Sequence, residues 1–124
     1  MSSELIVDKK EFNWLSVIEN IPVCSLCIIE NKTPVEIISN SELKAKAIKM
    51  MSEMVRVGHF LNIDFPENFI NHNLKRASMI DTAIDTTINE CIKNLEFIIQ
   101  IAEDKKMRIN QTKEIFAVLK DKNG

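Results

Sequence analysis

Apolar residues recur along this chain at intervals of three and four, the spacing that places them on one face of an α-helix. The clearest case begins at Ser39-Asn40-Ser41-Glu42, where the Ser39 hydroxyl and the Glu42 carboxylate have the spacing of a capping box. The helix that follows carries five apolar residues on one side: Leu43, Ala47, Met50, Met54 and Val57. This segment is therefore predicted to be a helix that is buried along one face.

Two further helices are predicted in the C-terminal part of the chain. Thr87-Ile88-Asn89-Glu90 is a second capping box. The helix after it has the most apolar stripe of the sequence: Cys91, Ile92, Leu95, Ile98, Ile99 and Ala102. Beyond a charged break, Asn110 is expected to cap a last helix that contains Ile115, Phe116 and Leu119.

A long first helix is predicted from the N-terminal pattern. Asp8, with Glu11 three residues later, has the spacing of a helix start, and the apolar periodicity continues to about Cys27. Pro22 lies inside this segment. Because proline lacks a backbone N–H and crowds the preceding turn, it is expected to bend or divide the helix.

Two shorter helices are predicted between these segments. A short helical turn is expected at residues 35–38, after a polar loop. Asp64, with Pro66 in the first turn, is expected to begin a helix that reaches Leu74. The pattern as a whole predicts about six to seven helices.

Glycine is scarce, which argues against β-structure. The only two are Gly58 and Gly124, whereas hairpins rely on glycine or asparagine at positive φ. A length of 124 residues suits one domain, and no repeat or linker divides the sequence. The prediction is an all-α, single helical domain over residues 1–124.

Charge and hydropathy argue against two classes of partner. The net charge is −2, with acidic and basic residues interspersed, whereas nucleic-acid binding needs clustered Lys and Arg. The apolar runs fall far short of the roughly 20 residues that a membrane helix requires. The N-terminus has neither the basic start nor the apolar stretch of a signal peptide. Three cysteines without a secretory signal favour reduced thiols and a cytoplasmic location.

Cys24-x-x-Cys27 has the spacing of a metal-binding or redox pair. A structural zinc ion takes four ligands, and the other candidates, Cys91, His59 and His72, have no paired spacing. Cysteines three residues apart also share one helix face and pack as small apolar side chains. Packing is therefore the preferred interpretation, and no metal site is expected.

A dinucleotide site is not expected either. The phosphate-binding turn of a Rossmann domain needs three glycines within six residues after a strand. The chain has no such cluster and no Walker-type loop. No cofactor is therefore expected to bind this chain by that route.

Several polar landmarks carry a resemblance to a known family. Trp14-Leu15-Ser16-Val17 is followed by Asn20, and Ser78-Met79-Ile80-Asp81 is followed by Glu90, twelve residues after Ser78. With the apolar helices from about 11 to 120, this layout resembles the C-terminal helical domain of the ketopantoate reductase (2-dehydropantoate 2-reductase) family. The resemblance implies a fold like the 6-phosphogluconate dehydrogenase C-terminal domain. It also implies that Asn20, Ser78 and Glu90 bind substrate.

The sequence departs from the family pattern at the position that matters most for chemistry. Ser16 stands where the family has a lysine that stabilises the developing alkoxide and supplies a proton. A serine hydroxyl has no charge and is a feeble acid at neutral pH. Cys24 replaces a second asparagine, Thr82 an aspartate, and Lys106 and Asn110 a glycine and a proline. No catalytic residue is therefore assigned.

The resemblance implies three functional hypotheses. The leading one is a stand-alone domain without catalytic activity that acts in helical association, as a homodimer or by docking to a partner. The second is the substrate-domain half of a split NADP-dependent 2-keto acid reductase, with a separate Rossmann-domain protein. The third is a small hydroxy-acid binder. Association predicts an exposed apolar face, or a homodimer that covers one.

Glu90 has two interpretations. It either binds a ligand beside Ser78 or is the last member of the Thr87 capping box, and the capping box alone explains a glutamate at this position. If a residual site exists, Asn20, Ser78 and Glu90 should line one polar cleft. The Ser78 and Glu90 oxygens should then lie within one bridging water of each other.

Overall fold

The structure is a computed structural model that describes residues 12–82 and 84–124. Within those residues the chain forms six α-helices and no strand, which confirms the all-α prediction. The helices are, in chain order, α1 Trp14–Glu30, α2 Pro34–Ser39, α3 Ser41–Phe60, α4 Phe69–Ala77, α5 Ile88–Asp104 and α6 Asn110–Asn123.

Helix α1 is the centre of the fold and contacts each of the other five helices. Its middle section, residues 21–27, is buried at every position. A helix that is buried all round its circumference must be covered on every side, and here α3, α5 and α6 supply most of the cover. The buried apolar side chains form one core cluster around α1.

The start of α1 differs in part from the prediction. Asp8 and Glu11 lie outside the described residues. Within the described part the helix begins at Trp14, and the Oδ1 atom of Asn13 accepts a hydrogen bond from the Ser16 N–H at 3.1 Å. Pro22 lies inside a helix that continues undivided to Glu30, so it does not separate two helices.

The predicted buried faces of the later helices are confirmed. All five stripe residues of α3 are buried, and so are five of the six on α5, while Ile92 is half-buried. On α6, Ile115 and Leu119 are buried and Phe116 is half-buried. Because each helix has one apolar face, its burial direction could be read from periodicity alone.

The cap predictions have mixed outcomes. Thr87 and Glu90 form the predicted capping box at the start of α5. The prediction for Ser39 is wrong, because Ser39 is the last residue of α2 and its hydroxyl donates to the Val35 carbonyl at 2.7 Å. Asn40 caps α3 instead, through its Oδ1 atom and the Leu43 N–H at 3.0 Å.

Helix α4 begins later than predicted. The expected start at Asp64 is wrong, since the helix starts at Phe69. Asn68 has a left-handed backbone (φ 58°), which interrupts helical geometry between Pro66 and Phe69. Asn68 occupies the cap position, and its side chain makes no capping hydrogen bond within the described residues.

The start of α6 is also different from the prediction. Asn110 is the first helical residue, and Ile109 occupies the cap position without a side-chain hydrogen bond. The cap comes from another helix: the carboxylate of Glu53 on α3 accepts hydrogen bonds from Gln111 and Thr112. Glu53 is therefore a long-range cap that local sequence rules do not detect.

Candidate functional site

The predicted site residues each hydrogen-bond within their own stretch of chain. Asn20 is exposed on α1, and its Nδ2 atom donates to the Ser16 carbonyl at 2.9 Å. The Ser78 hydroxyl donates to the Lys75 carbonyl at 2.6 Å at the end of α4. The Glu90 Oε1 atom accepts from the Thr87 N–H at 3.0 Å. The capping interpretation of Glu90 thus accounts for its hydrogen bonds.

The three residues are not joined by hydrogen bonds. A small cavity of about 40 Å³ between α1 and α4 is lined by Asn20, but neither Ser78 nor Glu90 lines it. No hydrogen bond connects Ser78 to Glu90 in the described part of the chain. Their role in binding a substrate stays a prediction.

Ser16, at the position where the resembling family has a lysine, is half-buried on α1. Its hydroxyl lies 3.4 Å from the Asn20 Nδ2 atom. Its main-chain N–H is bound by Asn13. These contacts place Ser16 in the hydrogen-bonding network of the helix start.

The three cysteines lie in the core. Cys24, Cys27 and Cys91 are all buried. Burial raises the pKa of Cys24, raises the pKa of Cys27 to about 12 and raises the pKa of Cys91 to about 11. The thiolate is the nucleophile and the metal ligand, so these groups are protonated and unreactive at neutral pH. Among the described residues no three His, Cys, Asp or Glu side chains are grouped to hold a metal ion.

The larger concave feature is a groove of about 710 Å³ between α1 and α4 that is open to solvent. One wall is formed by Leu15 and Glu19 of α1, and the other by the start and exposed face of α4. Arg76 crosses the groove to Glu19, with 2.6 Å between Nε and the carboxylate. This ion pair ties α4 to α1.

Asn73 is the unusual residue of this groove. Only 2% of its surface is exposed, and it lines both the groove and the 40 Å³ cavity. Its Nδ2 atom has no hydrogen-bond partner among the described residues. A buried amide without a partner costs free energy, so the position calls for an acceptor oxygen.

The first turn of α4 leaves main-chain N–H groups without acceptors among the described residues. The Phe69 N–H is bonded to the Pro66 carbonyl at 3.2 Å, and the His72 N–H to the Asn68 carbonyl at 2.9 Å. The Asn71 N–H has no acceptor in the described part of the chain, as expected for the first turn of an uncapped helix. Asn71 lines the groove.

Sequence reasoning missed this groove, although a signal was present. Asn73 lies four residues after Phe69, on the stripe that also includes Ile70, Leu74 and Ala77. A polar residue at an apolar stripe position indicates either a buried partner or a binding site. The groove itself depends on how α4 packs on α1, which the pattern does not specify.

Comparisons with known proteins give no identification: no protein-family model, curated protein or solved structure matches the chain. Within the described residues, none of the helices combines the length and the apolar character needed to cross a membrane.

Proposed function

We propose that this chain is a non-catalytic helical association domain that pairs with a second copy of itself. The observation that carries the proposal is an apolar surface at the segment after α4. There Met79 is 71% exposed and Ile80 is 37% exposed, and half-buried Val35 and Ile84 lie beside them. We call these four residues the Met79 ridge.

The residues of the Met79 ridge come from two chain segments that contact each other. The Val35 N–H donates to the Ile80 carbonyl at 2.9 Å, which fixes the segment after α4 against α2. Ile80 and Ile84 both line the 40 Å³ cavity, so their side chains lie close together. The ridge therefore presents adjacent apolar side chains of two chain segments.

Pairing between copies suits a ridge of this kind. In a two-fold dimer the same surface is used by both subunits, so an apolar ridge can cover itself. The ridge is small, and interfaces at the low end of the size range are weak. We expect a dissociation constant of roughly 100 µM.

The absence of catalysis is part of the proposal. Ser16 supplies no charge at the position where the resembling family has a lysine. The three thiols are buried and protonated. Asn20, Ser78 and Glu90 form local hydrogen bonds.

Descent from the ketopantoate reductase family, with the 6-phosphogluconate dehydrogenase C-terminal-like fold, is a further part of the proposal. Its support is the all-helical architecture and the spacing of Trp14, Asn20, Ser78 and Glu90 along the sequence. The split-reductase and hydroxy-acid hypotheses have direct tests. The split-reductase hypothesis predicts NADPH-dependent reduction of ketopantoate when a Rossmann-domain partner is present. The hydroxy-acid hypothesis predicts that pantoate raises the thermal midpoint of the chain.

Light scattering of the purified chain over a range of concentrations tests self-association. The mean mass should rise with concentration, and Met79→Lys should abolish the rise because it places a charge in the interface. The matched control is Val118→Lys, which changes an exposed apolar residue on α6 (40% exposed) that is not part of the ridge. A wild-type mass that stays monomeric, or equal loss in both variants, would contradict the proposal.

A further inference from the structure

The methionines of this chain differ widely in their exposure to solvent. Met79 is 71% exposed, and Met107 is half-buried. The remaining methionines that the structure describes, Met50, Met51 and Met54, are 0% exposed. A dissolved oxidant must reach the sulfur atom in order to oxidise a thioether. Within the described part of the chain, Met79 is therefore the methionine that an oxidant meets first.

The three thiols do not compete for the same oxidant. Cys24, Cys27 and Cys91 are buried, and this burial raises the pKa of each thiol. A thiol reacts with peroxide as its thiolate, and a raised pKa leaves little thiolate at neutral pH. A limiting dose of peroxide should therefore react at Met79 and spare the core.

Hydrogen bonds hold the backbone of Met79 in place. Its N–H donates to the Arg76 carbonyl at 3.1 Å, and the next N–H, that of Ile80, donates to the Ala77 carbonyl at 3.1 Å. The Ile80 carbonyl accepts from the Val35 N–H at 2.9 Å. Met79 is thus exposed on an anchored turn, where its side chain is part of the apolar Met79 ridge.

We propose that Met79 is a modification site, at which oxidation by hydrogen peroxide switches off the self-association of the chain. This inference rests on the proposed function, because the Met79 ridge is the proposed contact between two copies. A lone pair of the thioether sulfur attacks one peroxide oxygen, so that an S–O bond forms as the O–O bond breaks. The leaving hydroxide takes the proton of the hydroxyl group that stays on sulfur and departs as water. Sulfur is oxidised by two electrons to the sulfoxide, and peroxide is reduced to water.

Oxidation makes the centre of the ridge polar. The sulfoxide oxygen is a hydrogen-bond acceptor, and burying it without a donor costs free energy. The neighbouring side chains of the ridge, Val35, Ile80 and Ile84, have no donor to offer. Because a two-fold interface contains Met79 from both subunits, the cost arises twice in each dimer. Oxidation should therefore raise the dissociation constant at least about tenfold.

Peptide mass spectrometry of the full chain tests the modification site. The chain is treated with a limiting dose of hydrogen peroxide at about 5 µM protein, where it is mostly monomeric. Met79 should gain an oxygen atom at least about tenfold faster than Met50, Met51 and Met54, which the core shields. Equal rates at the four residues would overturn the assignment. This measurement does not depend on whether the chain self-associates.

Light scattering of the same samples tests the switch. After oxidation, the rise of the mean mass should require at least about tenfold higher protein concentration. Met79→Leu keeps an apolar side chain of similar volume without the thioether, so it should self-associate equally before and after peroxide. The matched control is Met107→Leu, which removes a half-buried methionine outside the ridge and should still lose self-association on oxidation.

The results separate the switch from the proposed function. The switch is wrong if the oxidised wild-type chain self-associates as before, or if peroxide dissociates Met79→Leu as well. A wild-type chain that is monomeric before oxidation contradicts the proposed self-association and therefore also the switch. In that case the mass spectra still decide whether Met79 is the site of oxidation.

Discussion

Replacement of Glu53 by glutamine should destabilise the fold more than replacement of any exposed glutamate. Glu53 is only 6% exposed, on the buried side of α3. Its Oε1 atom accepts from the N–H and the hydroxyl of Thr112, both at 2.7 Å, and its Oε2 atom accepts from the Gln111 N–H at 3.0 Å. These bonds satisfy two N–H groups in the first turn of α6, where the cap residue Ile109 makes no side-chain hydrogen bond.

The magnitude follows from these contacts. A hydrogen bond to a charged group contributes about 1.5–3 kcal/mol, and a negative charge at a helix N-terminus adds about 0.3–1 kcal/mol. In Glu53→Gln one oxygen remains, but the NH₂ group faces a backbone N–H, so two donors meet. Part of the loss is offset because a neutral amide is cheaper to bury than a carboxylate. The expected loss of unfolding free energy is about 2–4 kcal/mol.

Urea denaturation followed by circular dichroism measures this loss, because the transition midpoint falls while its slope is unchanged. Glu96→Gln is the matched control, since Glu96 is exposed on α5 and its substitution should stay within about 0.5 kcal/mol. Thr112→Val removes one of the three hydrogen bonds to Glu53. The loss of unfolding free energy in the double variant should therefore differ from the sum of the losses in Thr112→Val and Glu53→Gln. A Glu53→Gln loss no larger than that of Glu96→Gln would refute the long-range cap.

Two further predictions concern α5 and the core cysteines. Thr87→Ala should lower the unfolding free energy by about 1 kcal/mol, because it removes the capping bond to the Glu90 N–H. The control is Thr82→Ala, at an exposed position outside the helices, and an equal loss in both variants would contradict the prediction. Cys27 and Cys91, with pKa values of about 12 and about 11 against a reference of 9.0, should resist thiol reagents in the folded state at neutral pH. Because the unfolded chain releases these protons near pH 9.0 and the folded chain retains them, their contribution to stability is present below pH 9.0 and is lost as pH rises toward 12. Urea midpoints that do not change between about pH 8 and pH 11 would refute the alkaline effect.

The helices were predictable where a local signal exists. The stripe of α3 and the Thr87 capping box depend on residues three or four apart, and the sequence shows both directly. The start of α3 was misplaced by one residue because Ser39 and Asn40 are both good caps, and only the end of α2 decides between them. The start of α4 was missed because Asn68 adopts a left-handed backbone that the sequence does not reveal.

Long-range contacts set the limit of sequence reasoning. Glu53 lies on the stripe between Met50 and Val57, so its burial was detectable from spacing, but its partners are 58 and 59 residues away. Asn73 is a similar polar residue on an apolar stripe. In both cases the sequence indicates an unusual position, and only the packing of two helices shows what that side chain meets.

The three residues that the family resemblance singles out, Asn20, Ser78 and Glu90, could be predicted from the sequence only in part. Local rules were sufficient to expect that Glu90 bonds to Thr87, and the structure has this bond. Whether Asn20 and Ser78 approach Glu90 depends on the packing of α1, α4 and α5. The structure gives Asn20 and Ser78 local hydrogen-bond partners as well, and the sequence pattern did not specify these two bonds.

The most direct test of self-association is a dilution series of ¹⁵N-labelled chain followed by amide NMR spectra, from about 1 mM to about 20 µM, a range that brackets the expected dissociation constant. Dilution should move the amide signals of the Met79 ridge, at Val35, Met79, Ile80 and Ile84, along a single binding curve. Signals on α6 around Val118 should stay fixed. Spectra that do not change with concentration, or changes confined to residues outside the ridge, would contradict the proposed association.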